Sequence, residues 1–96
     1  MFARVSAYRT GPETISDAPT QAILKRVLDT PGCLGIYFLN GKESDKALSI
    51  TLWDTEEALT TSQQAANSIR AETSKEQNIQ ILEVEEFEVT ASSLKE

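Results

Sequence analysis

Two β-forming runs, CLGIYFL at 33–39 and ALSITLW at 47–53, flank the turn-rich stretch NGKESDK and constrain this chain more than any other feature. They read as a hairpin. With the turn centred on Glu43, Leu34, Ile36 and Phe38 fall opposite Leu52, Ile50 and Leu48 on one wholly apolar face. The other face then carries Cys33, Gly35, Tyr37, Leu39, Ala47, Ser49, Thr51 and Trp53, small residues mixed with two large aromatics. A sheet built on such a hairpin needs cover on both sides.

The flanking segments supply part of that cover. Residues 2–9, FARVSAYR, alternate with period two and stop before Gly11-Pro12, which cannot continue a ladder. Asp17 is a candidate helix cap, Pro19 suits a first turn, and Ala22, Ile23, Leu24, Val27 and Leu28 form an apolar stripe ended by Pro31-Gly32. After the hairpin, Asp54 and Glu57 have the spacing of a capping box, and Ala58, Leu59, Ser62, Ala65, Ala66 and Ile69 recur on one helical face. The polar tail of this helix, RAETSKEQN, leads into IQILEVEEFEV at 79–89, a half-exposed strand in which the doubled Glu85-Glu86 predicts a β-bulge.

The order is β-α-β-β-α-β, and right-handed crossovers put both helices on one face. The expected class is α+β: a ferredoxin-like four-stranded antiparallel sheet, in one domain spanning residues 1–96. Two helices shield only one side of four strands, so the other meets solvent or a second copy. Exposing six large apolar side chains forgoes on the order of 10 kcal/mol, comparable to the roughly 5–15 kcal/mol that holds a domain folded. The reading therefore assigns Leu34, Ile36, Phe38, Leu48, Ile50 and Leu52 to a homodimer interface between sheets, and the mixed face to the helices.

Charge and composition narrow the function. A net charge of −6 with no basic cluster disfavours nucleic acid and membrane partners. The opening MFARVSAYRT has no apolar stretch of signal-peptide length, and a lone cysteine fits a reducing compartment, so a cytoplasmic location is expected. Phosphate-cradling glycine loops and nucleophile elbows are absent from the sequence. Glu83, Glu85, Glu86 and Glu88 alternate in facing and have no histidine to join them, which argues against a metal site and for a solvated edge. Cys33, with no basic residue within five positions, reads as a small buried hydrophobe rather than a nucleophile.

The strand ending in Tyr8-Arg9, the segment TPGCLGIYFL and above all ALSITLWDTEEAL resemble the dimeric α+β barrel superfamily, in particular its antibiotic-biosynthesis-monooxygenase-like domains. The resemblance covers nearly the whole chain. It implies two sheets facing each other across a dimer and a pocket between each sheet and its own helices. Trp53 is similar to the tryptophan of the haem-degrading members, but their strand-one asparagine and helix-two histidine have no counterpart here, which disfavours that activity. No cofactor is expected.

Trp53, Tyr37, Thr51 and Ser49 are the candidate ligand-binding residues: one face, two aromatics and hydroxyls able to orient a ligand oxygen. Each also has an ordinary structural role in a strand. Arg4 shares a face with Tyr8, where it could hold an anion or pair with Glu83 or Glu85. Three readings stay open. The chain binds a small apolar or aromatic molecule; it is a cofactor-independent monooxygenase acting on a phenol or quinol; or it is a dimerisation module whose cavity its own side chains fill.

Overall fold

The computed structural model describes residues 1–95. The elements are β1 (Phe2–Arg9), α1 (Gln21–Leu28), β2 (Cys33–Asn40), β3 (Lys46–Trp53), α2 (Glu56–Thr61), α3 (Gln63–Gln77) and β4 (Gln80–Glu88). The sheet has the order β2-β3-β1-β4, with every neighbouring pair antiparallel. That is the ferredoxin-like α+β arrangement. The helices lie over one face, where α3 reaches β1 through Arg70 and Ser6 and the α2–α3 junction reaches it through Arg4.

Local chemistry sets the helix ends a few residues from the expected positions. Thr20, not Asp17, caps α1, its hydroxyl accepting from the Ile23 amide at 3.3 Å, and Pro19 precedes the helix as a buried contact. Thr55, not Asp54, caps α2 by accepting from the Ala58 amide at 3.0 Å. A threonine in extended conformation directs its hydroxyl at the third amide beyond it, the geometry of an N-cap. The second helix breaks at Ser62, whose hydroxyl donates to the Leu59 carbonyl at 2.9 Å. Beyond the break, the polar tail of this helix runs on to Gln77, where Ile69, Arg70, Thr73 and Gln77 form one buried face of α3. Asn78, in the left-handed region at φ 57°, ends it.

The sheet departs from expectation at two points, each a shift of one residue. Along β2, Ile36 pairs with Thr51, Tyr37 with Ile50, Phe38 with Ser49 and Leu39 with Leu48, and the register jumps between Cys33 and Gly35. The hairpin centre lies one half-step beyond Glu43, with Asn40 opposite Ala47, and the bulge at Leu34 returns Cys33 to its expected place opposite Trp53. Because side chains alternate with period two, this slip turns β2 over relative to β3. Ile36 and Phe38 therefore face the helices, and Gly35, Tyr37 and Leu39 join Leu48, Ile50 and Leu52 on the outer face. β3 keeps its expected facing.

The second shift lies in β4, at Leu82 rather than Glu85-Glu86: Ala7 pairs with Glu83 and Tyr8 with Ile81, leaving Leu82 over. Glu85 and Glu86 stay in register opposite Val5 and Arg4. The outer face is left uncovered in the single chain, with Leu34, Tyr37, Leu39 and Phe87 each roughly half exposed at 53%, 54%, 43% and 46%. Among the described residues no helix is long and apolar enough to cross a membrane.

Candidate functional site

The centre of the helix-side face is polar. Alternation in β1 aims Arg4, Ser6 and Tyr8 at the helices, and register brings Thr51 beside Arg4 and Ser49 beside Ser6. Ile36 and Phe38 extend these rows outward on β2. Ile23 and Val27 of α1 and Ile69 of α3 form an apolar roof. Between floor and roof lies a cavity of about 50 Å³, which these residues line together with Trp53, Arg70 and Thr73. At roughly 10–15 Å³ of such space per water, it has room for a few waters or a small organic group.

Two guanidinium groups sit in this wall. Arg4, 3% exposed, donates through Nε and Nη2 to Glu86 Oε2 at 3.2 and 2.9 Å, through Nη2 to the Leu59 carbonyl at 2.7 Å, and through Nη1 to Ser62 at 3.3 Å. The partner is thus Glu86 rather than Glu83 or Glu85, which share the outer face with Ala7 and Val5. Arg70, 8% exposed, donates through Nε to Ser6 Oγ at 2.9 Å and through Nη1 to Asn67 Oδ1 at 2.7 Å. Burial lowers the Arg70 pKa from its ordinary value, and Arg4 adds to that shift while the neighbouring Tyr8 and Glu86 oppose it. An arginine still carries its charge at neutral pH.

Trp53 ends β3, and it is 2% exposed. Its indole nitrogen donates to Thr51 Oγ1 at 2.9 Å, leaving the threonine proton free for another acceptor. The Tyr8 and Ser49 hydroxyls approach to 3.3 Å, and the Tyr8 and Phe38 rings pack tilted with centroids 6.0 Å apart. Trp53, Thr51 and Ser49 thus line one cavity. Tyr37 does not, since the turned-over β2 sends it to the outer face. With Tyr37 and Leu39 both outside, they cannot fill the cavity alongside Trp53.

The residue least expected here is Arg70. In the sequence it opens a polar stretch, and the only sign of its burial is its position beside Ile69 on a face continued by Thr73 and Gln77. Cys33, half-buried, has its thiol pKa raised by burial, partly offset by its contact with the Gly35 carbonyl. Among the described residues no group of three or more His, Cys, Asp or Glu gathers as a metal site.

No family model matches the sequence, and no curated protein matches it. Solved structures do match. The crystal structure of a "putative antibiotic biosynthesis monooxygenase" from Deinococcus radiodurans superposes with a TM-score of 0.70 at 14% identity, over 100% of this chain and 99% of that one. Another of the same name, from Chloroflexus aurantiacus J-10-fl, gives a TM-score of 0.54 at 16% identity, over 98% of each chain. At such identities the likeness is one of fold. Over its full length, then, this chain shares the ferredoxin-like α+β fold of these two solved structures.

Proposed function

We propose that the chain forms a homodimer through its outer sheet face and binds a small, largely apolar or aromatic molecule in the cavity between sheet and helices. The ligand half rests on the cavity itself. Its walls are mostly apolar, its few polar groups converge from β1, β3 and α3, and its aromatic end is closed by Trp53. Small-molecule sites have this composition, an apolar enclosure with a few placed hydrogen-bonding groups. Trp53, the one tryptophan in the chain, is a built-in reporter. Saturable change in its fluorescence with small phenols and quinols, accompanied by a rise in melting temperature, is the expected result. A panel that leaves both unchanged would sink the reading.

The dimer half rests on the uncovered outer face. Burying the exposed halves of Leu34, Tyr37, Leu39 and Phe87 is worth on the order of 5 kcal/mol. The interface so proposed comprises Leu34, Leu48, Ile50 and Leu52, with Tyr37 and Leu39 in the places first given to Ile36 and Phe38. Light scattering on dilute protein tests it, and a folded single subunit would contradict it. The domain is taken as residues 1–96, and a cytoplasmic setting is part of the proposal, on the strength of a lone, half-buried thiol.

A second reading, favoured by the names of the two structural neighbours, is cofactor-independent oxygenation of a phenol or quinol. A phenol bearing a ring hydrogen and one molecule of oxygen give a quinone and one water. The substrate itself supplies the electrons. The cavity's part is to favour the ionised phenol and shelter it from bulk water while oxygen reacts. Oxygen uptake with the same panel, abolished by Trp53→Phe, separates this reading from binding alone.

A further inference from the structure

The cavity wall holds more positive charge than it neutralises. Arg4 takes up Glu86, whereas both hydrogen-bond partners of Arg70, Ser6 and Asn67, are neutral. Two guanidinium groups therefore share one carboxylate among the described residues, inside a chain whose net charge is −6. Removing an ion from water is costly, and neutral hydrogen bonds return only part of that cost. The hydrogen bonds of Arg70 run from Nε and Nη1, the Tyr8 hydroxyl also lies beside the guanidinium, and Nη2 is not among the sealed polar atoms. It remains open to a partner.

The partner's chemistry follows from what surrounds that nitrogen. We infer that the molecule held in the cavity is a small organic anion whose negatively charged oxygen is bound by Arg70. This rests on the small-molecule reading above and narrows it from apolar molecules in general to acids with an apolar body. A guanidinium offers a planar fork to an oxyanion and strengthens the hydrogen bond by its charge. The Thr51 hydroxyl on the same wall supplies a further donor, since its oxygen is already occupied by Trp53. The anion's apolar body would lie beneath Ile23, Val27 and Ile69 and against Phe38. Glu86 makes no hydrogen bond to Arg70, since both of its hydrogen bonds accept from Arg4.

Matched acids and amides test this, because they share a shape and differ in charge. Benzoate against benzamide, and butyrate against butyramide, are titrated into the full chain while the indole N–H resonance of Trp53 is followed. The acids are expected to bind about tenfold or more tightly than their amides, as a charge-assisted over a neutral hydrogen bond allows. Arg70→Gln is expected to erase that preference, with Arg70→Lys intermediate. Should the variants fail to fold, the acid-to-amide ratio in the unaltered protein decides alone. Amides binding as tightly as acids overturn the anion proposal and leave the small-molecule reading standing. No response to either member of either pair overturns both.

Discussion

Arg4 lies over the indole of Trp53, its guanidinium carbon 5.4 Å from the ring centroid. This contact joins the centre of β1 to the last residue of β3. The same guanidinium holds Glu86 on the edge strand and the Leu59 carbonyl beside the α2–α3 break. One buried cation thereby fixes three elements around the aromatic end of the cavity. Stacking on an aromatic face and a carboxylate contact together stabilise a charge that neither would hold so well alone.

Glu86→Gln is expected to cost about 1–3 kcal/mol in urea unfolding, since it leaves Arg4 buried without its carboxylate while Glu86 itself is partly solvated. Replacing both residues with methionine is expected to cost less than the sum of the single replacements. A double-mutant cycle reads this directly. Additive effects would mean that Arg4 draws nothing from Glu86.

Neighbouring positions on β2 separate folding from association. Tyr37→Glu places charge on the outer face and is expected to lower the molecular mass toward a single subunit while circular dichroism is retained. Ile36→Glu places charge on the cavity floor and is expected to destabilise the protomer by about 2–4 kcal/mol. Light scattering and thermal melting on the pair check both. Equal effects of the two changes on stability, with no effect on mass, would contradict the facing of β2.

Gly32 sits at φ +84°, and a Cβ there would lie 2.3 Å from that of Ala58. Gly32→Ala is therefore expected to cost about 2–4 kcal/mol, combining left-handed strain with a clash against α2. Adding Ala58→Gly should recover the steric part and not the backbone part. The Gly32 carbonyl accepts from the Asp54 amide at 2.9 Å, so the turn before β2 also anchors the end of β3. Denaturant midpoints of the two variants supply the measurement.

Cys33 offers a pH test. Burial raises its thiol pKa above the ordinary value of 9.0, so at any given pH less of it is thiolate than in the unfolded chain. Alkylation by iodoacetamide is expected to be slower in the folded than in the urea-unfolded protein, with its rise displaced to higher pH. In the folded state the neutral thiol is the favoured form. Its contribution to stability is accordingly complete below the unfolded pKa and is lost as pH rises through the higher folded one. Equal alkylation rates in the two states would refute this.

Much of the architecture was legible along the chain, for reasons visible in particular residues. FARVSAYR alternates cleanly, Pro31-Gly32 separates α1 from β2, and ALSITLW presents Ser49, Thr51 and Trp53 on the side where the helices lie. Arg4 and Tyr8 share a face as their spacing requires. Long-range partners were harder to read. Leu34 and Leu82 are bulge residues, and a bulge leaves little mark on a strand that is apolar on both faces or on one that alternates with doubled residues at two places.

Periodicity and turn chemistry, which act over a few residues, determined the element order, the class of sheet and the β3 half of the cavity floor. Only tertiary structure decided which way β2 faces, that Glu86 rather than Glu83 or Glu85 meets Arg4, and that Arg70 belongs to the cavity. Arg70 is placed by the packing of α3 on β1, and the first two share a different reason. A one-residue slip in pairing exchanges the two faces of a strand while local preferences barely change, so the choice falls to packing between residues far apart in the chain.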